Sequence, residues 1–267
     1  MHFIKELAFS LSVINKGLEN GKETNMRTIL IFLFILLFFI FSIPLFFIEY
    51  VIGKINPHLK VKSSQAIVVT ILKGILVLGG VKKTVIGLEN IPKDEAVLYV
   101  SNHRSFFDIV VAYATVPNLT GFVAKKEMKK VPFLRTWMRY LNCLFLDRDN
   151  IREGLKTILE GVELVKKGYS VYISPEGTRN HEKEMLPFKE GSLKIAEKSG
   201  CPIIPVSLSN TDEVFENHFP WVRKAHVIIE YGKPVYPKEL TKEQQKHLGA
   251  YVQNIIRDTL IKNESLI

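Results

Sequence analysis

The segment SNHRSFFD (residues 101–108) places a histidine and an aspartate five positions apart, directly after the apolar run AVLYV (96–100). A short apolar run of this kind is typical of a buried strand. In a continuous helix, side chains five residues apart point about 140° away from each other, so His103 and Asp108 would not meet. If His103 instead lies in a turn between strand and helix, Asp108 can reach back to one imidazole nitrogen. The other nitrogen is then free to take a proton, as in a general base.

The same residues have a structural interpretation. Ser105 followed three positions later by Asp108 matches the capping box of a helix N-terminus, which would leave His103 as a surface residue. From this segment alone, both interpretations stay open.

Two further segments contain groups that suit a phosphate. ISPEGTRN (173–180) ends an apolar run with a glycine that permits close backbone approach, a threonine hydroxyl and the planar guanidinium of Arg179. In CLFLDRDN (143–150), Arg148 follows another apolar run and could add a second phosphate contact. An ordinary turn with a solvated arginine, or an ion pair with a neighbouring aspartate, explains either segment as well.

These segments require elements that bring them together. Short apolar runs alternate with stretches of helical periodicity, which predicts an α/β domain with a mixed, largely parallel sheet flanked by helices. In such sheets, ligands bind at the carboxyl ends of the strands, where all three segments fall. The predicted strands are 84–88, 96–100, 121–124, 143–147, 169–175, 202–208 and 225–232; the predicted helices are 105–114, 152–168, 189–200 and one that Thr241 opens.

An uncharged apolar run, TILIFLFILLFFIFSIPLFFI (28–48), precedes this domain. It matches the ~20 residues that a helix needs to cross the hydrocarbon core, and it is longer than the apolar region of a signal peptide. A second run at 66–81 includes Lys73 and fits a buried or interfacial helix, or the return limb of a hairpin. Because lysines flank the first run on both sides, the positive-inside rule gives no orientation, whereas a hairpin keeps both flanks in the cytosol. We therefore predict an N-terminal hydrophobic helical membrane anchor at 1–82 and a catalytic domain at 83–267 on the cytoplasmic face of the cell membrane.

The net charge of +9 favours an anionic partner. Residues 123–141 interleave lysines and arginines with bulky apolar side chains, as does an element that lies on an anionic membrane surface; a solvated basic face over core residues is the alternative. No nucleic-acid-binding motif occurs, so the bilayer is the expected anionic partner. Cys143 and Cys201 make neither a disulfide framework nor a zinc cluster, and we expect both to be buried.

Four segments follow one another in order: NHRSFFD, FLDR, PEGTR and LPFKEGSLKIAEKSGCPIIPVSL. The series resembles the glycerolipid acyltransferase superfamily, most closely the 1-acyl-sn-glycerol-3-phosphate (lysophosphatidic acid) acyltransferases. The resemblance covers roughly residues 85–210, and its specificity comes from the order of four short motifs. The chain departs from the family pattern at Ser174, where phenylalanine is usual, and at 142–143, where a glycine is often found.

The resemblance implies that His103 is the catalytic base, that Asp108 orients it, and that Pro205 lies on the acyl-donor side. It further implies that Arg148, Glu176, Gly177 and Arg179 hold the phosphate and glycerol part of the acceptor. Lys125 and Thr178 are further substrate-binding candidates. The resemblance implies a direct transfer, and the absence of a GxSxG elbow and of a cysteine within the histidine motif agrees with it. The oxyanion would need donors such as a backbone N–H near Gly177 or in the turn after His103. No metal ligand set is evident.

The implied enzyme moves a fatty acyl group from an acyl thioester to the sn-2 hydroxyl of 1-acyl-sn-glycerol-3-phosphate, giving phosphatidic acid. We expect no cofactor besides the co-substrate, either acyl-CoA or acyl-acyl carrier protein. The expected partners are the bilayer, lysophosphatidic acid, the acyl thioester and, as one donor carrier, acyl carrier protein; no nucleic acid is expected. The alternatives are transfer to glycerol-3-phosphate or another lysophospholipid, or a catalytically silent lipid-binding membrane protein of the same fold.

Overall fold

A computed structural model of the chain describes residues 2–182 and 184–267, and the side chains of all of these except 2–20 and 22. The helices are α1 (His2–Ile55), α2 (Pro57–Leu78), α3 (Phe106–Tyr113), α4 (Leu134–Tyr140), α5 (Ile151–Lys166), α6 (Lys194–Ser199), α7 (Lys242–Lys246) and α8 (Leu248–Asn263). The strands are β1 (Lys82–Ile86), β2 (Leu98–Ser101), β3 (Thr120–Lys125), β4 (Leu144–Leu146), β5 (Ser170–Ile173), β6 (Ile203–Ser209) and β7 (His226–Tyr231). The helix expected to open at Thr241 is two helices, because the backbone breaks at His247.

The described strands form one sheet in the order β1-β7-β6-β2-β5-β3-β4. From β6 to β4 every neighbouring pair is parallel, and only β7 runs antiparallel to its neighbour β6. The predicted mixed, largely parallel sheet is therefore confirmed. Since five adjacent strands point the same way, their carboxyl ends meet at one edge of the sheet. We call this the carboxyl edge.

Helices cover both faces of the sheet, which explains why the central strands are apolar on both sides. Tyr99 and Tyr172 face one helical layer, which contains α2 and α3. Leu98 and Val171 face the other layer, formed by α5, α6 and α8. The rings of Phe122 and Tyr172 stack with centroids 4.4 Å apart, and this contact stabilises the register between β3 and β5.

The first two helices form an antiparallel hairpin whose turn is Asn56. The Asn56 side chain accepts a hydrogen bond from the N–H of Leu59, and Pro57 begins α2, as both residue types favour at a helix start. The buried Glu49 of α1 accepts hydrogen bonds from two serine hydroxyls of α2. By length and composition, 23–55 and 57–78 are apolar enough to cross a membrane. The second predicted apolar run thus lies in a helix that returns along the first.

The hairpin docks on the domain through aromatic side chains of α4. The indole Nε1 of Trp137 donates to Oγ of Ser42 at 2.8 Å, and the rings of Phe38 and Phe46 lie against Trp137. The opposite side of α1 leaves many large apolar side chains exposed, such as Phe32 and Phe47. Within the basic segment 123–141, the apolar side chains of α4 therefore contact α1, whereas Lys129 and Lys130 remain exposed.

Candidate active site

The carboxyl edge brings together most of the residues singled out in the sequence. His103 follows β2, and Glu176 to Arg179 follow β5, the neighbouring strand. Lys125 ends β3, and Arg148 follows β4, at the far end of this parallel block. A turn after β6 supplies a further group, the segment 210–217, which sequence reasoning did not select.

His103 and Asp108 contact each other directly. Nδ1 of His103 lies 2.8 Å from Oδ2 of Asp108, within hydrogen-bonding distance. The imidazole is 18% exposed, whereas the carboxylate is buried. Among the residues that the structure describes, Nε2 of His103 has no hydrogen-bond partner. An Nδ1–H that donates to the aspartate leaves Nε2 as a proton acceptor, which is the arrangement of a general base.

Asp108 also caps helix α3. Its Oδ2 accepts hydrogen bonds from the backbone N–H of Arg104 at 2.7 Å and of Ser105 at 2.8 Å, completing a capping box with Ser105. Its Oδ1 accepts from the hydroxyl of Thr211, beyond β6. The predicted contact of His103 with Asp108 and the predicted capping box are therefore both present, while the role of His103 as a base stays a prediction. The helix start fixes the carboxylate, and the fixed carboxylate orients the imidazole.

The backbone of His103 is held on both sides by the loop after β5. Its N–H donates to Oε1 of Glu176 at 2.8 Å, and its carbonyl accepts from the N–H of Asn180 at 2.8 Å. The other carboxylate oxygen of Glu176 accepts from the N–H of Leu186 at 3.0 Å. Burial raises the pKa of Glu176, and the hydrogen bonds that it accepts from the N–H groups of Leu186 and His103 lower it. Both oxygens of Glu176 thus accept from backbone N–H groups, one of which belongs to His103.

Asn102, the residue before the histidine, ties the exit of β2 to β6. Its amide nitrogen donates to the carbonyl of Leu208, and its amide oxygen accepts from the N–H of Leu208, both at 2.9 Å. The side chain thereby extends the strand pairing by one step after the backbone of β2 has turned away. This contact explains why an asparagine stands at the point where the chain must leave the sheet.

Gly177 has φ +77, in the left-handed region that favours glycine. A Cβ at this position would lie 2.8 Å from Nζ of Lys189. The next residue, Thr178, is exposed. The glycine turn therefore lets the chain reverse between Glu176, which faces inward, and Arg179, whose side chain reaches the edge of the site.

Arg179 lies over the ring of Phe106, with Cζ 3.7 Å from the ring centroid. Its Nη1 donates to Oε1 of Glu216 at 3.2 Å. Glu216 is 7% exposed at its side chain and also accepts from the hydroxyl of Ser105 and from the N–H of Phe106. One carboxylate thus links the guanidinium after β5 to the start of the helix that holds Asp108.

Three predicted residues lie further from His103. Lys125 is exposed and lies 3.8 Å from a carboxylate oxygen of Glu127, and Arg148 is exposed as well. A cavity of about 450 Å³ opens beside this end of the edge, between 126–130, β4 and α5. Pro205 is buried within β6, where it pairs with Val100 and its carbonyl accepts from the N–H of Gly232. The structure does not bring Pro205 to the carboxyl edge, so its place on the donor side stays a prediction.

A family model described as Acyltransferase matches residues 82–209. The 1-acyl-sn-glycerol-3-phosphate acyltransferase of Borreliella burgdorferi is 30% identical over 185 residues, which are 69% of this chain and 72% of that protein. The chain belongs to the acyltransferase family. The enzyme of the same name from Saccharomyces cerevisiae is 34% identical over 184 residues, 68% of this chain but 60% of the yeast protein.

A solved structure resembles this acyltransferase over most of its length. The crystal structure of the 1-acyl-sn-glycerophosphate (LPA) acyltransferase PlsC from Thermotoga maritima superposes with a TM-score of 0.79 at 26% sequence identity. The match covers 92% of this chain and 98% of the Thermotoga chain. The likeness supports the α/β fold with its N-terminal helices.

Two residues that this acyltransferase places at its site fall just outside the matched segment. Thr211 and Glu216 follow β6, and neither belongs to the motifs 101–108 or 173–180. A signal for them was present in the sequence. The polar segment NTDEVFEN (210–217) follows an apolar strand, as the histidine motif does, and the carboxyl ends of parallel strands share one edge.

The cysteines of this acyltransferase are not placed for covalent catalysis. Cys143 and Cys201 are buried and unpaired, as the sequence predicts. Burial raises the pKa of the Cys143 thiol to about 11, which keeps it protonated at neutral pH. Among the side chains that the structure describes, no three from histidine, cysteine or acidic residues gather as metal ligands.

Proposed function

We propose that this chain transfers a fatty acyl group from an acyl thioester to the sn-2 hydroxyl of 1-acyl-sn-glycerol-3-phosphate, giving phosphatidic acid. The observation that carries the proposal is the pairing of His103 Nδ1 with Asp108 Oδ2 at 2.8 Å, which leaves Nε2 as the acceptor at the carboxyl edge. The names of the Borreliella and yeast relatives support the choice of acceptor.

The proposed reaction is a direct acyl transfer. Nε2 of His103 takes the proton of the sn-2 hydroxyl as that oxygen attacks the thioester carbonyl carbon, and the buried carboxylate of Asp108 stabilises the resulting imidazolium. The new C–O bond forms and the C–S bond breaks when the tetrahedral intermediate collapses. The imidazolium then returns its proton to the leaving thiolate, so the enzyme ends the cycle unchanged.

The strand spacing supports a division of the cations between the two substrates. β5 lies directly beside β2, so Arg179 is one strand from His103, whereas Arg148 is three strands away, or about 14 Å at ~4.8 Å per strand. The phosphate and the sn-2 hydroxyl of the acceptor are on neighbouring carbons, which fits Arg179. This distance separates Arg148 from the acceptor phosphate that the resemblance implied for it, and we assign Lys125 and Arg148 to the phosphates of the donor's carrier.

The oxyanion requires N–H donors that are not already used. The N–H groups of Arg104 and Ser105 donate to Asp108, and that of Gly177 donates to the carbonyl of Ser174 at 3.1 Å. The N–H groups in the turn after His103, which the sequence suggested, are thus already used, as is that of Gly177. In the described part of the chain, the N–H groups of Thr178 and Arg179 have no acceptor, and we assign the oxyanion to them.

The exposed apolar side of α1 supports attachment to the bilayer through the helical hairpin. Arg27, before the first apolar run, donates to the carbonyl of Leu78 at the end of α2, so the two open ends of the hairpin lie together, whereas Lys54 and Lys60 flank the turn at Asn56. Basic residues at both ends of the hairpin give no orientation under the positive-inside rule, and the cytoplasmic face of the catalytic domain is part of the proposal. The lysolipid acceptor is itself a bilayer component, so attachment brings the carboxyl edge and the acceptor to one surface.

The proposal is tested by product formation with defined substrates. The purified full chain is given palmitoyl-CoA or palmitoyl-acyl carrier protein with lysophosphatidic acid, glycerol-3-phosphate or lysophosphatidylcholine. We expect phosphatidic acid from the first acceptor and a much lower rate with lysophosphatidylcholine, which lacks a terminal phosphomonoester for Arg179. Faster transfer to another acceptor would contradict the assigned substrate, and no thiol release with any acceptor would contradict enzymatic acyl transfer.

A further inference from the structure

The loop after β6 exposes aromatic side chains that the site does not use. Phe219 is 75% exposed and Trp221 is 41% exposed, whereas Val222, the next residue, is buried. We call residues 215–224 the aromatic loop. Exposed aromatic side chains gathered at one place on a protein indicate a surface that contacts a partner.

The aromatic loop has a defined conformation, because three of its backbone N–H groups donate hydrogen bonds. The N–H of Trp221 donates to the carbonyl of His218, and that of Arg223 donates to the carbonyl of Val214, both at 2.8 Å. The N–H of Val222 donates to the hydroxyl of Thr28 on α1, also at 2.8 Å. These bonds hold the loop in the conformation that exposes its aromatic rings, and one of them ties the loop to α1.

The part of α1 that the loop contacts has exposed apolar side chains. Thr28 is buried on α1, and its neighbours Met26 and Ile29 are 57% and 63% exposed. Arg223 and Lys224, at the end of the aromatic loop, are exposed. Tryptophan and phenylalanine beside basic residues, continuous with an apolar helix face, are typical of protein that lies in the headgroup layer of an anionic bilayer.

The aromatic loop also reaches the catalytic site. The rings of Phe219 and Phe215 lie 5.5 Å apart at their centroids, and Phe215 lies 6.4 Å from Phe106, over which Arg179 is stacked. A row of rings thus leads from the exposed surface to the guanidinium assigned to the acceptor phosphate.

We propose that the aromatic loop rests in the headgroup layer of an anionic bilayer and forms the side of the site through which the lysolipid acceptor enters. The inference rests on the proposed function, since it gives the acceptor a path from the membrane to Arg179. The lysolipid tail stays in the acyl layer beside Phe219 and Trp221 while the phosphate reaches the guanidinium.

Tryptophan fluorescence tests the contact, because the chain has two tryptophans and the other, Trp137, is buried against α1. The full chain is reconstituted in phosphatidylcholine and phosphatidylglycerol vesicles with or without phosphatidylcholine brominated at acyl positions 6 and 7. The difference between the wild type and Trp221→Phe isolates the emission of Trp221. We expect brominated lipid to remove more than half of that emission.

Flotation of the protein with vesicles while Trp221 stays unquenched would overturn the inference and leave the hairpin attachment intact. Failure of the wild type to float would instead contradict the membrane-bound function itself. If the emission of Trp221 changes with the protein-to-lipid ratio and not with the bromine content, the loop contacts a second copy of the chain. This result also overturns the inference.

A kinetic arm separates entry from chemistry. Phe219→Ser and Trp221→Ser should raise the KM for long-chain lysophosphatidic acid in vesicles about fivefold, roughly 1 kcal/mol, with kcat unchanged. The KM for water-soluble hexanoyl lysophosphatidic acid should stay constant. The matched control is Ile261→Ser, which alters a 60% exposed apolar residue of α8 on the opposite helical layer and should change neither constant. Equal effects on both acceptors would contradict entry from the bilayer.

Discussion

Nη1 of Arg179 lies 3.2 Å from Oε1 of Glu216, and the same carboxylate contacts Ser105 and Phe106 at the start of α3. The guanidinium assigned to the phosphate and the helix that holds Asp108 are thereby kept at a fixed separation. We predict that Glu216→Gln raises the KM for lysophosphatidic acid about tenfold, because a hydrogen bond to a charged group contributes roughly 1.5 kcal/mol. The kcat at saturating acceptor should change much less.

A double-mutant cycle tests whether Glu216 acts through Arg179. In an Arg179→Ala background, Glu216→Gln should add little to the KM, because the residue it positions is gone. If the two effects on KM were simply additive, Glu216 would stabilise the fold independently of Arg179.

Asp108→Asn should lower kcat by about 10²- to 10⁴-fold, the range that general base catalysis contributes. The amide oxygen can still accept from Arg104 and Ser105, and Thr211 can accept from the new N–H₂, so the helix cap survives. What is lost is the negative charge that stabilises the imidazolium of His103. Steady-state kinetics alongside thermal unfolding measure both properties. A folded variant with kcat within a factor of two of the wild type would contradict the orienting role.

Gly177→Ala tests the left-handed turn between Glu176 and Arg179. Placing an alanine at φ +77 costs about 1–2 kcal/mol of folding free energy. Gly168 is the matched control, because it has φ +85, its Cβ would meet no atom within 4 Å, and it follows α5 away from the site. Both variants should lower the unfolding temperature by a similar amount, but only Gly177→Ala should lower activity. Comparable activity loss in both would show a general effect of destabilisation.

Cys143 should be unreactive in the folded enzyme. Its pKa is raised to about 11 by burial, so the folded state disfavours the thiolate. The folded state then binds the thiol proton more tightly, and this contribution to stability is lost as pH rises from about 9 through 11. We expect no labelling by a thiol reagent at pH 8 until denaturant is added. In Cys143→Val, the decline of unfolding temperature over that pH window should be shallower; an unchanged slope would contradict the assignment.

The sequence predicts the parts of the site that are local in the chain. His103, Ser105 and Asp108 all lie in the short connection from β2 to α3, so their spacing suggests a His–Asp pair and a helix cap as two alternatives. The strand pattern likewise predicts the shared edge, because it follows from strand direction. Glu216 is different. It lies 37 residues from Arg179 and 111 from Ser105, and its partners are set by tertiary packing that no short pattern encodes.

The other differences between the predicted and the observed elements also have physical causes. The last helix breaks at His247, and the apolar periodicity on which a single helix was predicted begins only after this break, at Leu248. Helix α4 begins after Phe133, which adopts φ 57 so that its ring can lie against Phe39 and Phe46 of α1. Such strained positions are stabilised by contacts from a distant segment, and local propensity does not predict them.

The central claim is that Nε2 of His103 removes the proton of the acceptor hydroxyl. The most direct measurement is thiol release from palmitoyl-CoA with saturating lysophosphatidic acid, comparing the wild type with His103→Ala and with His247→Ala, an exposed histidine on the last helical pair. We predict that His103→Ala loses about 10²-fold or more of the rate and that His247→Ala keeps the wild-type rate. A folded His103→Ala variant that releases thiol as fast as the wild type would contradict the account.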